Sequence, residues 1–376
     1  MKYFLVVGEA SGDLHASNLM REILQRDPEA SFAFFGGDQM ASVGGKPIKH
    51  YREMAFMGIT AVLMNAGKIL ANMSLCKKSI LDWKPDVLIL VDYASFNLRI
   101  AAFVQKEMPE VSVHFYISPK LWAWKSYRIK SFRAYIKHLY VILPFEKTYF
   151  DKLNYPVEYV GNPSVDSMKA YFDRPFDEVA FKHKHGLDER PIIALLPGSR
   201  TGEIKRNLPI MRESVARFSG FQVVVAGAPG QDQSIYNQIL DKSDHVVFGE
   251  TYSLLRLSIA AMVTSGTATL ETALIGIPQV VCFAVDGGSI PNWIFKTFMH
   301  VPYFSLVNLI VNKPLVKELL GNQCTVENLC AAFEPLLTDS DQRKAILEGY
   351  ALMKRELGPS GASQRAAEAI LSNVKR

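Results

Sequence analysis

Short apolar runs, bounded by glycine, proline or polar residues, alternate along the chain with stretches whose apolar positions recur at helical spacing. In the first half the runs are Tyr3–Val7, Ser31–Phe35, Val87–Val91, Val113–Tyr116 and His138–Leu143. The helical patterns between them include Leu14–Gln25, Lys68–Trp83 and Leu98–Lys106. Continuous apolar runs of this length suit strands covered on both faces of a parallel sheet. The pattern restarts after residue 190, with strands predicted at Ile192–Leu196, Gln222–Ala226, Val246–Phe248, Met262–Thr264 and Gln279–Cys282. Helices are predicted there at Glu203–Phe218, Ser234–Leu240, Ser253–Ala260 and Thr267–Ile275. Two successive βαβ series predict an α/β protein of two Rossmann-like, doubly wound domains. Asn162-Pro163 and Arg174-Pro175 place the join within Gly161–Arg174, giving domains of 1–165 and 166–359. The last helix, Ser363–Val374, either belongs to the second domain or, as we expect, carries the segment 360–376 back onto the first.

Composition narrows the function. Apolar residues make up 49% and charged residues 21%, so a full core is available and disorder is not the dominant state. The net charge of +5 is too small to mark a nucleic-acid binder, but it suits an enzyme of phosphorylated substrates or one that touches an anionic membrane. Cys76, Cys282, Cys324 and Cys330 lack both metal-ligand spacing and a disulfide framework, which points to reduced thiols in the cytoplasm and to no metal. The N-terminal run meets Glu9 and Asp13 at once and reads as a buried strand, not a signal peptide. No apolar run approaches the roughly 18 residues of a membrane-spanning helix.

Three strand-to-helix turns carry candidate chemistry. Val7-Gly8-Glu9-Ala10-Ser11-Gly12-Asp13 is either a ligand loop or a tight turn capped by Ser11 or Asp13, and it lacks the full dinucleotide fingerprint. Leu196-Pro197-Gly198-Ser199-Arg200 puts a guanidinium at the carboxyl end of a strand, where it holds a diphosphate or pairs with Glu203. Thr264-Ser265-Gly266-Thr267-Ala268-Thr269-Leu270-Glu271 presents hydroxyls, backbone N–H groups and a helix N-terminus to a phosphate, with Glu271 one turn on to accept from ribose hydroxyls. Between Lys120 and Lys137 lie six basic residues and no acidic one, interleaved with Trp122, Trp124, Tyr127, Phe132 and Tyr135. That segment is either a surface for anionic head groups or a phosphorylated acceptor, or a solvated basic helix with aromatics turned inward. Met54–Leu75, with Met57 and Met64, reads as an acyl-chain or membrane-surface site or as core. No hydrolase triad is recognisable among the scattered histidines.

These motifs, taken with Phe35-Gly36-Gly37, Met57-Gly58, Ser118-Pro119 before Trp122-Ala123-Trp124, Leu143-Pro144-Phe145-Glu146, Ser305-Leu306 with Asn308, and Lys317-Glu318-Leu319-Leu320, resemble the lipid-A-disaccharide synthase family over nearly the whole chain. The resemblance implies the GT-B glycosyltransferase fold, with two domains facing a cleft. It also implies transfer of 2,3-diacylglucosamine from UDP to 2,3-diacylglucosamine 1-phosphate (lipid X), at the cytoplasmic face of the bacterial inner membrane, with no metal or other cofactor. A homodimer is a possible further partner, and no nucleic acid is expected. On this basis the UDP site is assigned to Gly198, Ser199, Arg200, Tyr252, Ser265, Gly266, Thr267, Ala268 and Glu271, with Glu250-Thr251-Tyr252 near uracil. Sugar or phosphate contacts are assigned to Glu9, Ser11, Gly12, Asp13, Glu146 and Asn308. Membrane or acyl contacts are assigned to Met57, Met64, Trp122, Trp124, Lys125 and Arg128.

An α-linked donor that gives a β product needs one in-line displacement and a base for the acceptor hydroxyl. The family's usual Asp-x-Pro-Asp-Phe-Asn reads here Asp92-Tyr93-Ala94-Ser95-Phe96-Asn97, so the favoured base position is Ser95. Asp92 is expected to take that role, with Glu9 and Asp13 as rivals and a purely structural Asp92 as the alternative. Arg200 is expected to stabilise the departing UDP. The competing readings are a UDP-GlcNAc 2-epimerase or another transferase of the same fold, and a nucleotide-sugar-binding module that has lost its base.

Overall fold

The computed structural model describes residues 1–54, 66–124, 126–241, 243–285 and 302–374. Strands β1 (Lys2–Val6), β2 (Ser31–Gly36), β3 (Lys46–His50), β4 (Val87–Val91), β5 (Ser112–Tyr116), β6 (His138–Val141) and β7 (Glu158–Tyr159) form one sheet. Its order is β3-β2-β1-β4-β5-β6-β7, with every pairing parallel. The apolar runs form strands because each side of the sheet is covered. Tyr3, Leu5 and Val7 pack with Leu19 and Met20 of helix Ala10–Arg26, while Phe4 and Val6 pack with Cys76 and Ile80 of helix Ala66–Trp83.

By compactness the chain divides into Met1–Pro163 with Pro359–Arg376, and Ser164–Gly358. The C-terminal helix Ala362–Val374 belongs to the first unit, where Ala366, Ala367 and Ile370 join the core that contains Leu19 and Ile23. Burying a side chain such as Ile370 contributes about 1.5–3 kcal/mol. Arg365 fastens the helix: its guanidinium donates to the carbonyls of Val160, Ser360 and Pro359 at 2.9–3.0 Å.

The second unit holds β8 (Ile192–Leu196), β9 (Gln222–Gly227), β10 (His245–Phe248), β11 (Ser258–Thr264), β12 (Gln279–Phe283) and β13 (Lys317–Leu320). They form a parallel sheet in the order β10-β9-β8-β11-β12-β13. Both sheets are doubly wound. The strand order reverses between β1 and β4 in the first and between β8 and β11 in the second, and ligands of open α/β sheets bind at such reversals.

The structure corrects the sequence reading in places. Strand β6 ends at Val141, because Leu143 already caps helix Pro144–Lys152. Helix Thr251–Leu257 stops at Ser258, whose backbone is extended and whose hydroxyl donates to the Leu254 carbonyl, so Ser258–Ala260 open β11 rather than continue a helix. The sequence pattern does not predict strands β3, β7 and β13. All three lie at or next to a sheet edge, where polar residues and even Pro47 are tolerated. Among the described residues no helix is long and apolar enough to cross a membrane.

Candidate active site

In the first unit the chain leaves β1 through Val7, Gly8 and Glu9, and Glu9 caps helix Ala10–Arg26 in extended backbone without a side-chain capping bond. Ser11 Oγ donates to Glu9 Oε1 at 2.8 Å. Gly8 is demanded here, because a Cβ would run into the Tyr93 ring. Across the strand reversal, Asp92 and Tyr93 follow β4 with φ of 44° and 46°. Left-handed backbone is costly for both residue types, so surrounding structure must hold it. Asn97 does so from inside: its amide donates to the carbonyls of Val91 and Asp92 at 3.2 and 2.8 Å. The Tyr93 hydroxyl adds a bond to the Met54 carbonyl at 2.9 Å.

This turn aims Asp92 beside Glu9. Burial, and then the Glu9 charge, push the Asp92 carboxyl up to about 6, against the opposing charges of Lys120 and Arg128 and the Tyr93 backbone N–H. Asp92 is therefore a partly buried carboxylate with the basicity of a general base working near neutrality. Ser95 is exposed, and its Oγ accepts from Arg128 Nη2 at 2.7 Å.

Several residues assigned to ligands serve the scaffold instead. Asp13 is 3% exposed and accepts from the backbone N–H groups of Gly37, Gln39 and Met40 at 2.7, 3.0 and 3.2 Å. It fixes the turn after β2, which removes it as a rival base. Gly12 is buried against Val7 and lets the helix close on the strand. Glu146 is 1% exposed; Oε2 accepts from the Ile142 and Leu143 N–H groups and Oε1 from Trp122 Nε1 at 3.2 Å. Burial raises the Glu146 carboxyl to about 7 in spite of these bonds. Trp122 is buried with its ring edge-on to Phe145, so it does not face a membrane. Asn308 is 1% exposed and exchanges hydrogen bonds with the Val316 backbone while donating to Glu318, so its amide is taken up in holding the start of β13. Met57, Met64 and Lys125 lie outside the described residues, and so does the side chain of Trp124.

In the second unit, the loop after β8 and the loop after β11 stand at the strand reversal. Gly198 adopts φ 116°, and a Cβ there would crowd Glu203. Glu203 organises the first loop: Oε2 accepts from the Ser199 and Arg200 N–H groups at 3.1 and 3.3 Å, and Oε1 pairs with the Arg200 guanidinium at 3.1 Å. Arg200 nonetheless remains exposed at the start of helix Thr201–Val215. The second loop passes through Ser265 and Gly266 into helix Thr267–Ile275, with Thr267 exposed and Ala268 half-buried at its first turn. That end carries free N–H groups and the positive pole of the helix dipole.

Buried Asn207 ties these loops together, a role the sequence reading missed. Its amide nitrogen donates to the Pro197 carbonyl at 3.2 Å and to Thr264 Oγ1 at 3.0 Å, and its oxygen accepts from Ala284 N–H. The available signal was an amide on the apolar face of its helix, between Ile204 and Leu208. Glu271, half-buried one turn into its helix, accepts from the Tyr252 hydroxyl at 2.8 Å. Burial raises its carboxyl and this bond counters the rise. Tyr252 in turn meets the Tyr171 ring edge-on, another residue the sequence did not single out. Glu250 is paired with Lys184 and His185, and the Lys184 bond draws its carboxyl below the usual range. Among the described residues no group of three or more His, Cys, Asp and Glu could hold a metal ion.

The chain was compared with known proteins. The family model described as lipid-A-disaccharide synthetase matches residues 3–371. The lipid-A-disaccharide synthase of Myxococcus xanthus is 36% identical over 378 residues, covering 98% of this chain and 97% of the relative. That of Pseudomonas putida is 33% identical over 379 residues, covering 99% and 98%. Among solved structures, the Neisseria meningitidis UDP-GlcNAc 2-epimerase bound to UDP-GlcNAc superposes with a TM-score of 0.70 at 13% identity, covering 99% of this chain and 100% of that one. The kitacinnamycin glycotransferase superposes with a TM-score of 0.64 at 13% identity and covers 99% of each chain. At such identity these two likenesses speak for the fold alone.

Proposed function

The chain belongs to the lipid-A-disaccharide synthase family, and from that premise we infer that it condenses UDP-2,3-diacylglucosamine with 2,3-diacylglucosamine 1-phosphate into the β(1→6) disaccharide. It is a glycosyltransferase of the GT-B fold. In the proposed step the acceptor O6 attacks the donor C1, the bond from C1 to the UDP oxygen breaks, and the O6 proton passes to Asp92. A single displacement inverts the anomeric centre. Burial, and then like-charge repulsion from Glu9, keep the Asp92 carboxyl basic, and Asn97 holds the turn that aims it.

In the second unit the Arg200 guanidinium and the N-terminus of helix Thr267–Ile275 meet the charge that builds on UDP. Glu271 accepts from the ribose hydroxyls, and Ser265, Gly266, Thr267 and Ala268 line the diphosphate together with Gly198 and Ser199. Metal is not required in this scheme, because cationic side chains and backbone N–H groups carry the leaving-group charge. The observation that carries the assignment is the left-handed turn at the strand reversal of the first unit, held by Asn97, which sets the Asp92 carboxyl beside Glu9.

The same premise puts the enzyme at the cytoplasmic face of the inner membrane, a reading supported by exposed Leu70 and Leu75 beside Lys77 and Lys78 on helix Ala66–Trp83. A homodimer is a further proposal that rests on the family alone. To test the reaction, purified enzyme is given both substrates in the presence of EDTA, and UDP and disaccharide are counted. Equal amounts of the two support the scheme. UDP release without disaccharide, or dependence on an added divalent ion, contradicts it.

A further inference from the structure

Where the family pattern has an aspartate this chain has Ser95, and the exchange changes what Arg128 meets. Its guanidinium is held at 2.7 Å by a neutral hydroxyl, and among the described residues neither Arg128 nor Lys120 forms an ion pair. From Lys120 to Lys137 the sequence offers no carboxylate to neutralise them. Both cations favour the ionised form of Asp92, yet neither pairs with it directly. The turn thus carries the Asp92 carboxylate beside Glu9 and, within electrostatic reach of Asp92, two cations that form no ion pair among the described residues.

Such an arrangement suits a ligand with a hydroxyl at one end and a strong anion at the other. In a hexose 1-phosphate the 6-hydroxyl and the anomeric phosphate lie on opposite sides of the ring oxygen, about one sugar ring apart. A guanidinium takes phosphate oxygens through two parallel bonds, and an ammonium adds a point charge. We propose that Arg128 and Lys120 bind the anomeric phosphate of the acceptor while Asp92 meets its 6-hydroxyl, with Ser95 orienting the guanidinium. The proposal rests on the acceptor assigned above and adds the residues that select for its phosphate.

The test compares 2,3-diacylglucosamine 1-phosphate with the same sugar lacking the phosphate, at pH 8, for the wild type and for Arg128→Met, Lys120→Met and Ser95→Ala. Unchanged UDP affinity by calorimetry and an unchanged melting temperature establish that each variant is folded. For the wild type, kcat/KM favours the phosphorylated acceptor. In Arg128→Met that preference falls at least about tenfold, chiefly through KM for the phosphorylated acceptor, and in Lys120→Met and Ser95→Ala it falls less. A preference that survives in Arg128→Met overturns the proposal, and so does an equal loss on the two acceptors. A wild type that makes no disaccharide from either acceptor removes the underlying reading itself, an outcome separate from these.

Discussion

The Tyr252 hydroxyl donates to Glu271 Oε1 at 2.8 Å, so the carboxylate assigned to the ribose is already held by a phenol whose own ring leans on Tyr171. Burial favours the protonated carboxyl and the Tyr252 bond favours the ionised one. Removing the hydroxyl in Tyr252→Phe lets the pKa of Glu271 climb further. The variant is expected to bind UDP about fivefold more weakly at acid pH, with the deficit shrinking as pH rises and the carboxyl ionises. Calorimetric titration of UDP at several pH values checks this; an unchanged affinity at every pH removes Glu271 from the ribose.

If Asp92 is the base, as proposed, its carboxyl is expected to set the acid limb of activity. A base works deprotonated, so kcat/KM rises with pH through a midpoint at about 6 and then levels. Burial is the largest cause of that value and Glu9 is the second. Glu9→Gln removes the like charge and moves the limb to lower pH. A limb that stays in place in Glu9→Gln, while activity persists, assigns the limb to another group.

How far these sites could be read beforehand depended on what neighbours in space contributed. The central strands β1, β4, β5, β8 and β12 are nearly pure apolar runs, because both faces of each sheet are covered, and such runs declare themselves locally. Strand β3, Lys-Pro-Ile-Lys-His, has no such signature: it gains strand character only by pairing with β2 at the edge. The loops after β8 and β11 were legible because glycine, hydroxyl and charged residues cluster where an apolar run stops. The roles of Asp13, Glu146 and Asn308 were not. A carboxylate that satisfies buried backbone N–H groups and one that awaits a ligand look alike in sequence, and the partners of Asp13 lie 24 to 27 residues away. Trp122 misled for a related reason, since basic neighbours suggested a surface while its indole N–H serves Glu146.

Asp13 provides a stability test. Asp13→Ala leaves three backbone N–H groups, two of them in fully buried bonds, without their acceptor. The first unit is expected to lose about 2–4 kcal/mol, given the cost of stranded buried donors. Urea denaturation measures the loss; a change below about 0.5 kcal/mol would fit a surface residue and contradict the role assigned here.

Glu146 predicts a pH dependence of opposite character to that of an exposed ion pair. Its carboxyl rises from 4.5 to about 7 on folding. The folded state therefore binds this proton more tightly, and the contribution to stability is complete below 4.5 and is lost as pH rises toward 7. The stability of the wild type relative to Glu146→Gln should decline between pH 5 and pH 8. A difference that is flat over this range means that Glu146 does not change its protonation there.

The most direct test of the account is the rate of disaccharide formation by Asp92→Asn beside the wild type, at pH 8 with EDTA present and both substrates saturating. The account predicts a rate at least about 100-fold lower in the variant, with UDP affinity unchanged, since removing a general base costs roughly two to four orders of magnitude. Turnover within a few-fold of the wild type would contradict it and return the proton to another residue.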